Sequence, residues 1–122
     1  MTAINFQKRF KPMILNGSKT HTIRRRRKHT IKSGDQLQLY TGMRTKQCEL
    51  IKETKCTDVI PIIITPNTGI VSIDRFILSD KALEEFAISD GFPSVQEFFE
   101  FFRIYPMYIL LLEMEVIYWS NE

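Results

Sequence analysis

Alternation of polar and apolar side chains predicts most of the strands in this chain. The pattern has the two-residue period of a strand with one buried face, and β-branched residues are concentrated where it occurs. We therefore predict strands over residues 4–6, 20–24, 36–40, 48–64, 70–73 and 108–119. Turn-forming residues 66–69 make residues 59–64 and 70–73 a hairpin, in which Pro61 indicates a strand end or an edge.

Helical spacing of apolar residues predicts three short helices. The first covers residues 10–16, the second follows Ser79 and the third follows Ser94. Ser79 and Ser94 are favourable N-cap residues, and Ser94 with Glu97 forms a capping box. Phenylalanines at helical spacing behind Ser94 indicate a core face rather than a base-stacking surface.

The order of these elements predicts an α+β fold. A strand, a helix, several strands, two helices and a strand follow one another with short connections, which favours antiparallel pairing. We predict a small, mostly antiparallel β-barrel with short helices at its ends. Because 122 residues is the usual size of one domain, we assign residues 1–122 to a single domain.

Charge is distributed unevenly along the chain. Residues 1–55 contain fourteen Lys and Arg residues and three Asp and Glu residues, whereas residues 56–122 contain three and eleven. A basic face that binds a polyanion explains this asymmetry. The alternative is that the two halves neutralise each other in the fold.

Several functional classes are not indicated. The N-terminus lacks the apolar run of a signal peptide, and the most apolar stretch, residues 109–112, is far shorter than a membrane span. We therefore predict a soluble, cytoplasmic protein with no membrane partner. Cys48 and Cys56 lack the spacing of a zinc site, so we interpret them as reduced and predict no metal or cofactor. The oligomeric state is left open.

Residues 17–24 contain the densest functional chemistry in the chain. In the predicted strand Thr22 and Arg24 share one face, opposite His21. Lys19 follows a glycine turn, which allows its ammonium group to approach the Thr22 face. His21 is a candidate acid or base, but its position on the other face favours a hydrogen-bonded, partly buried histidine.

Two basic segments are candidate nucleic-acid contacts. The first is a run of five cations: Arg24, Arg25, Arg26, Arg27 and Lys28. Residues 25–28 of this run are predicted to be exposed, because unpaired guanidinium groups are too costly to bury. The second is a hydroxyl-rich loop that follows a potential stacking ring: Tyr40, Arg44, Thr45 and Lys46. Solvated loops are the alternative for both segments. No predicted helix carries base-reading side chains, which favours single-stranded nucleic acid, and RNA above all, over duplex DNA.

Three segments resemble the ASCH domain, a family with a PUA-like β-barrel fold. They are GSKTHTIR at residues 17–24, SGDQL at residues 33–37 and DGF at residues 90–92, the last followed by Phe98 and Phe99. The resemblance covers about residues 4–118. It implies the PUA-like barrel and the binding of RNA, a nucleotide or a modified nucleoside.

The segment FQKRF, residues 6–10, is similar to the opening of small bacterial N4-acetylcytidine amidohydrolases. These enzymes use a lysine, a threonine and a carboxylate, which fall on Lys19, Thr22 and Asp90. Their carboxylate is a glutamate, so Asp90 is one methylene shorter. The resemblance thus implies Lys19, Thr22 and Asp90 as catalytic residues.

Two roles are open to Lys19. It is the base that accepts the Thr22 proton if burial and Arg24 lower its pKa, or a hydrogen-bonding cation if Asp90 stabilises its charge and itself activates water. We predict an RNA or nucleotide binding domain with a pocket at Lys19, Thr22, Arg24 and Asp90. The alternatives are an amidohydrolase of acetylated cytidine, a ribonuclease using the same pocket, and a purely structural salt bridge between Lys19 and Asp90.

Overall fold

The computed structural model describes residues 2–103 and 111–120. Within them the strands are β1 (Thr2–Phe6), β2 (His21–Arg24), β3 (Gln36–Thr41), β4 (Glu49–Thr65), β5 (Ile70–Ile73), β6 (Phe76–Ile77) and β7 (Leu112–Trp119). The helices are a 3-10 turn (Lys8–Phe10), α1 (Lys11–Leu15), α2 (Asp80–Ser89) and α3 (Val95–Phe102). The predicted elements are therefore present. The part of the predicted last strand at residues 108–110 lies outside the described residues.

One mixed sheet connects all the strands of the described chain. β3 and β7 are antiparallel neighbours of β4, β2 adds to β7, and β5 and β6 extend the sheet from the end of β4. β1 is the exception, because it runs parallel to β3. The predicted α+β class and the mostly antiparallel sheet are confirmed.

The predicted closed barrel is wrong for the described residues. The pairs lead from β1 through β3, β4 and β7 to β2, but β1 and β2 are not paired with each other. Their edges face one another, since Arg24 Nη2 donates to the β1 carbonyl of Asn5 at 2.6 Å and Arg27 Nη2 donates to that of Ala3 at 2.9 Å. Side chains thus take the place of the backbone hydrogen bonds that close a barrel.

Pro61 lies inside β4 and not at its end, but β4 is an edge at this residue because, within the described residues, only β7 pairs with it there. Strands flank the next residue on both sides, since Ile62 is opposite Ile73 of β5 and Met114 of β7. Pro61 itself is opposite Glu115 of β7, and the ladder with β5 extends no further than Ile62. A proline is tolerated here because its missing N–H falls where that ladder ends.

Helices α2 and α3 begin at the predicted serine caps. Ser79 Oγ accepts a hydrogen bond from Ala82 N, and Ser94 Oγ accepts one from Glu97 N. The predicted core face of α3 is confirmed, because its phenylalanines are buried: Phe98, Phe99 and Phe102. Among the described residues, no helix has the length and apolar character that crossing a bilayer requires.

Toward its end β7 is buried on both faces, whereas its sequence predicts a strand with one solvent-exposed face. Its first residues alternate as expected, with one buried set: Leu112, Met114 and Val116. Ile117 and Trp119 on the opposite face are buried as well. Trp119 packs edge-on against Phe6 of β1, with ring centroids 5.8 Å apart. Core packing therefore extends to the strand pair, β2 and β7, that borders the gap between β1 and β2.

Candidate functional site

A pocket of about 330 Å³ opens in the gap between β1 and β2. Its apolar walls are mainly phenylalanine rings: Phe6, Phe10, Phe92, Phe101 and Phe102. Its polar groups come from three separate segments: Asn5, Gln7, Lys19, Thr22, Arg24, Arg25 and Asp90. The fold therefore brings Lys19, Thr22, Arg24 and Asp90 to one pocket, while their functional roles remain predictions.

Lys19 and Asp90 form a buried ion pair in the pocket wall. Lys19 Nζ donates to Asp90 Oδ1 at 2.8 Å and to the Asp90 backbone oxygen at 2.6 Å. Lys19 is 2% exposed and Asp90 is 3% exposed. Asp90 is the C-cap residue of α2, where the helix dipole disfavours a carboxylate and the last carbonyl groups lack helical partners. The Lys19 ammonium compensates both effects, so the pair ties the turn before β2 to the end of α2.

Burial shifts both members of this pair toward their neutral forms. It lowers the pKa of Lys19 and raises the pKa of Asp90, and the attraction between the two charges opposes both shifts. The charges of Arg24 and Arg9 lower the pKa of Lys19 further. A lysine with a lowered pKa loses its proton more readily than an exposed lysine. It must be deprotonated before it can accept a proton from another group near neutral pH.

His21 belongs to the same cluster, a position that the strand pattern alone did not suggest. It is 4% exposed, stacks on Phe86 of α2 with ring centroids 4.8 Å apart, and places Nε2 3.3 Å from Asp90 Oδ1. This approach lacks hydrogen-bond geometry, and Nε2 has no hydrogen-bond partner among the described residues. Burial and the Lys19 charge lower the His21 pKa to about 3, so the imidazole is neutral at pH 7. His21 is thus fully rather than partly buried, and its Nε2 lacks the expected hydrogen bond.

Arg24 is held in the gap by three contacts. Its Nε donates to Thr22 Oγ1 at 3.1 Å, its Nη2 donates to the Asn5 carbonyl, and its guanidinium carbon lies 4.8 Å from the centre of the Phe6 ring. The first contact confirms that Thr22 and Arg24 share a face of β2. Burial lowers the Arg24 pKa to about 10, so the group stays charged at neutral pH. A fixed guanidinium in a pocket wall is suited to stabilising an anionic group.

The Thr22 hydroxyl is oriented by this arrangement. Because its oxygen accepts a hydrogen bond from Arg24, its own proton points elsewhere and can be donated to a ligand or a base. The pocket therefore combines a hydroxyl donor, a fixed cation and a buried amine paired with a carboxylate. These groups are sufficient for polar recognition of a ligand and also contain the parts that amide hydrolysis needs.

The basic run borders the pocket and contacts several elements. Arg25 lines the pocket, Arg26 Nε lies 3.6 Å from Glu115 Oε1, and Arg27 binds the edge of β1. We call the exposed part of this run, residues 25–28, the basic rim. The prediction that these side chains are exposed is confirmed.

The second predicted nucleic-acid segment lies beside the pocket. Thr45 and Lys46 line a neighbouring cleft, and the Thr45 hydroxyl is engaged in hydrogen bonds within its own loop. Arg44 is exposed. Tyr40 is half-buried within β3 opposite Leu50 and lines neither this cleft nor the pocket. Its role as a stacking ring therefore stays a prediction.

The aromatic walls are the part of the site that sequence patterns did not reveal. Phe10, Phe92 and Phe101 come from distant segments, and the Arg9 guanidinium carbon lies 4.6, 5.1 and 5.9 Å from their ring centres. Helical spacing of phenylalanines signals a core face, so it gave no indication that Phe101 also lines a pocket. The available signal was the FQKRF segment, residues 6–10, which supplies two of the rings and Arg9.

Among the described residues, no group of three or more His, Cys, Asp or Glu side chains is placed to hold a metal ion. No family model, curated protein or solved structure matches the chain. The relationship to the ASCH domain therefore stays a prediction that rests on the three sequence segments.

Proposed function

We propose that this chain is an ASCH-type, PUA-like RNA-binding domain whose pocket takes one unpaired nucleoside of a single-stranded RNA. The observation that supports this most is the pocket itself, which combines phenylalanine walls with a few fixed polar groups. Ligand sites typically have this mixture and volumes upward of about 300 Å³. Single-stranded RNA is commonly bound by placing an unstacked base against aromatic rings and hydrogen-bonding its edge.

The parts of the pocket correspond to the parts of a nucleotide. The partly exposed Phe101 offers ring surface to a base, and Thr22 offers a hydroxyl group to the base edge or the sugar. The fixed charge of Arg24 suits a carbonyl or phosphate oxygen. The basic rim adjoins the pocket through Arg25 and supplies cations for neighbouring phosphates.

Removing the basic rim should weaken RNA binding and reduce its salt dependence. For Arg25→Ala/Arg26→Ala/Arg27→Ala we expect the slope of log affinity against log salt to fall by about 2, since each lost phosphate contact removes roughly 0.7 on a single strand. Fluorescence anisotropy with a labelled single-stranded RNA at about 50 mM and about 200 mM salt measures both quantities.

A triple variant with the same loss of charge is the matched control: Lys52→Ala/Lys55→Ala/Lys81→Ala. These lysines lie on β4 and α2, outside the pocket and the basic rim. Equal salt slopes for the two triple variants would exclude the rim as a phosphate contact. If the wild-type chain shows no saturable binding of single-stranded RNA, the proposed function is wrong.

Deacetylation of N4-acetylcytidine is a second candidate function. The hydrogen bond from Arg24 Nε to Thr22 Oγ1 favours it, because it orients the hydroxyl and leaves its proton available for transfer. Burial lowers the pKa of Lys19, which suits this lysine as the acceptor. If the hydroxyl adds to the acetyl carbonyl, the C–N bond breaks as the N4 nitrogen takes up a proton, cytidine leaves, and one water then hydrolyses the acetyl ester on Thr22 to acetate. If an activated water adds instead, the same bond breaks and acetate and cytidine are released directly.

Turnover of N4-acetylcytidine tests the second candidate directly. The wild-type chain should release cytidine, and Thr22→Val should lower the rate by about a hundredfold or more because the proton-transfer group is lost. Thr22→Ser keeps the hydroxyl and is the matched control, so it should retain most of the activity. Liquid chromatography of the nucleosides follows the reaction. If concentrated wild-type protein yields no cytidine after long incubation, deacetylation is excluded and the binding proposal is unaffected.

A further inference from the structure

A second, wider cleft borders the pocket at the end of β1. It has a volume of about 730 Å³ and lies between the 3-10 turn with the start of α1 and the loop that joins β3 to β4. Charged and hydroxyl-bearing residues along it define what we call the lysine cleft: Lys8, Lys11, Thr41, Thr45, Lys46 and Glu49.

The lysine cleft and the pocket adjoin. Phe6 and Gln7 line both of them. The loop of the cleft is also fixed to the pocket, because Met43 N donates to Asn5 Oδ1 at 3.0 Å and Asn5 lines the pocket. A ligand that extends beyond the pocket in this direction therefore meets the lysine cleft next.

The lysine cleft carries excess positive charge. Glu49 is the only carboxylate among its lining residues, and it pairs with Lys11. Lys8 and Lys46 are exposed and make no ion pair with a carboxylate among the described residues. Two cations are therefore available to an anionic ligand.

Cations follow one another along the free edge of β1. Arg27 contacts Ala3 and Arg24 contacts Asn5 of this strand, and the lysine cleft begins next to its end. The pocket, with its aromatic rings, lies between the basic rim and the lysine cleft. Proteins that bind single strands combine these same two features, a positively charged groove for the backbone and aromatic side chains for the bases.

We propose that the lysine cleft binds phosphate groups of the nucleotides next to the one held in the pocket. Its occupant is the sugar-phosphate backbone of single-stranded RNA, and the basic rim binds the same strand on the other side of the pocket. This inference rests on the proposed function and deepens it, because it gives the RNA a path from rim to pocket to cleft.

Lys8→Ala/Lys46→Ala tests the lysine cleft without altering the pocket walls. For a labelled single-stranded RNA of about nine nucleotides, we expect about tenfold weaker binding at about 50 mM salt and a salt slope smaller by about 1.4. Binding of free cytidine, followed by NMR chemical shifts, should be unchanged because a nucleoside carries no phosphate.

Lys55→Ala/Lys81→Ala removes the same charge at a distance and should bind the RNA nearly as tightly as the wild-type chain. If the two double variants bind the RNA equally well while the wild-type chain binds both RNA and cytidine, the lysine cleft is not a phosphate site and the proposed function stands. If the wild-type chain binds neither ligand, the proposed function itself is wrong and the cleft proposal falls with it.

Discussion

Lys19→Met is expected to lower the free energy of unfolding by about 3 kcal/mol or more, because it leaves the Asp90 carboxylate buried without the cation that pairs with it. Asp90 is 3% exposed, so water cannot replace the hydrogen bond that it accepts from Lys19 Nζ at 2.8 Å. The C-terminus of α2 adds to the cost, since its dipole is unfavourable to a negative charge. Urea unfolding at pH 7 measures the change as a shift of the midpoint at constant slope.

Two further variants separate the buried charge from the loss of packing. Lys19→Met/Asp90→Asn removes the isolated charge at constant volume and should recover a large part of the stability. Lys11→Met breaks the solvent-exposed pair with Glu49 and should change stability little, because solvent screens such pairs. If Lys19→Met unfolds at the same urea concentration as the wild-type chain, the buried ion pair does not exist in solution.

Gly91→Ala is expected to lower the free energy of unfolding by about 3 kcal/mol, because backbone strain and steric overlap act together. Gly91 has a φ of +102°, and an alanine Cβ there would lie 2.7 Å from Phe10 Cδ1 and 3.1 Å from Met13 Sδ. The Phe10 ring has little room to retreat, since it is buried edge-on against Phe92 and lies 5.0 Å from Lys19 Nζ. Any shift of Phe10 therefore reaches the pocket wall and the ion pair. The same urea titration measures the loss in free energy of unfolding.

Gly34→Ala is the matched control for this substitution. Gly34 has a similar φ of +96°, but an added Cβ would meet no atom within 4 Å. This variant therefore bears the backbone strain alone, about 1 kcal/mol or somewhat more. The difference between the two variants measures the overlap with Phe10. Equal losses would mean that Phe10 is not held against Gly91.

The uneven charge of the chain is partly neutralised within the fold, as one of the two explanations predicts. Lys19 of the basic half pairs with Asp90 of the acidic half, and Arg26 lies near Glu115. These contacts neutralise part of the asymmetry inside and at the edge of the fold. The basic rim and Lys8 and Lys46 nevertheless remain exposed, which leaves a surface for a polyanion.

Local signals predicted the elements of this protein well. Ser79 and Ser94 cap their helices, and the turn at residues 66–69 joins the predicted hairpin between β4 and β5. The buried positions of β3 also follow its alternating pattern. These predictions succeed because capping, turn formation and strand alternation depend on backbone geometry over a few residues.

The resemblance to a known family implied functional roles for Lys19, Thr22 and Asp90, but it implied nothing about the residues that surround them. Lys19 and Asp90 are 71 positions apart, and only the packing of α2 beside β2 brings them into contact. The same packing buries His21 beside Asp90, which strand alternation could not indicate because it reveals a face and not the neighbour across it.

Amino-acid sequence by itself thus determined the helices, the strands, the buried faces and the basic segments of this chain. Tertiary structure alone decided that the sheet stays open between β1 and β2, that Arg24 and Arg27 bridge the gap, and that phenylalanine rings line it. The physical reason is that closure, burial and pKa depend on which distant groups meet, whereas the periodicity of a strand is the same in an open sheet and in a barrel.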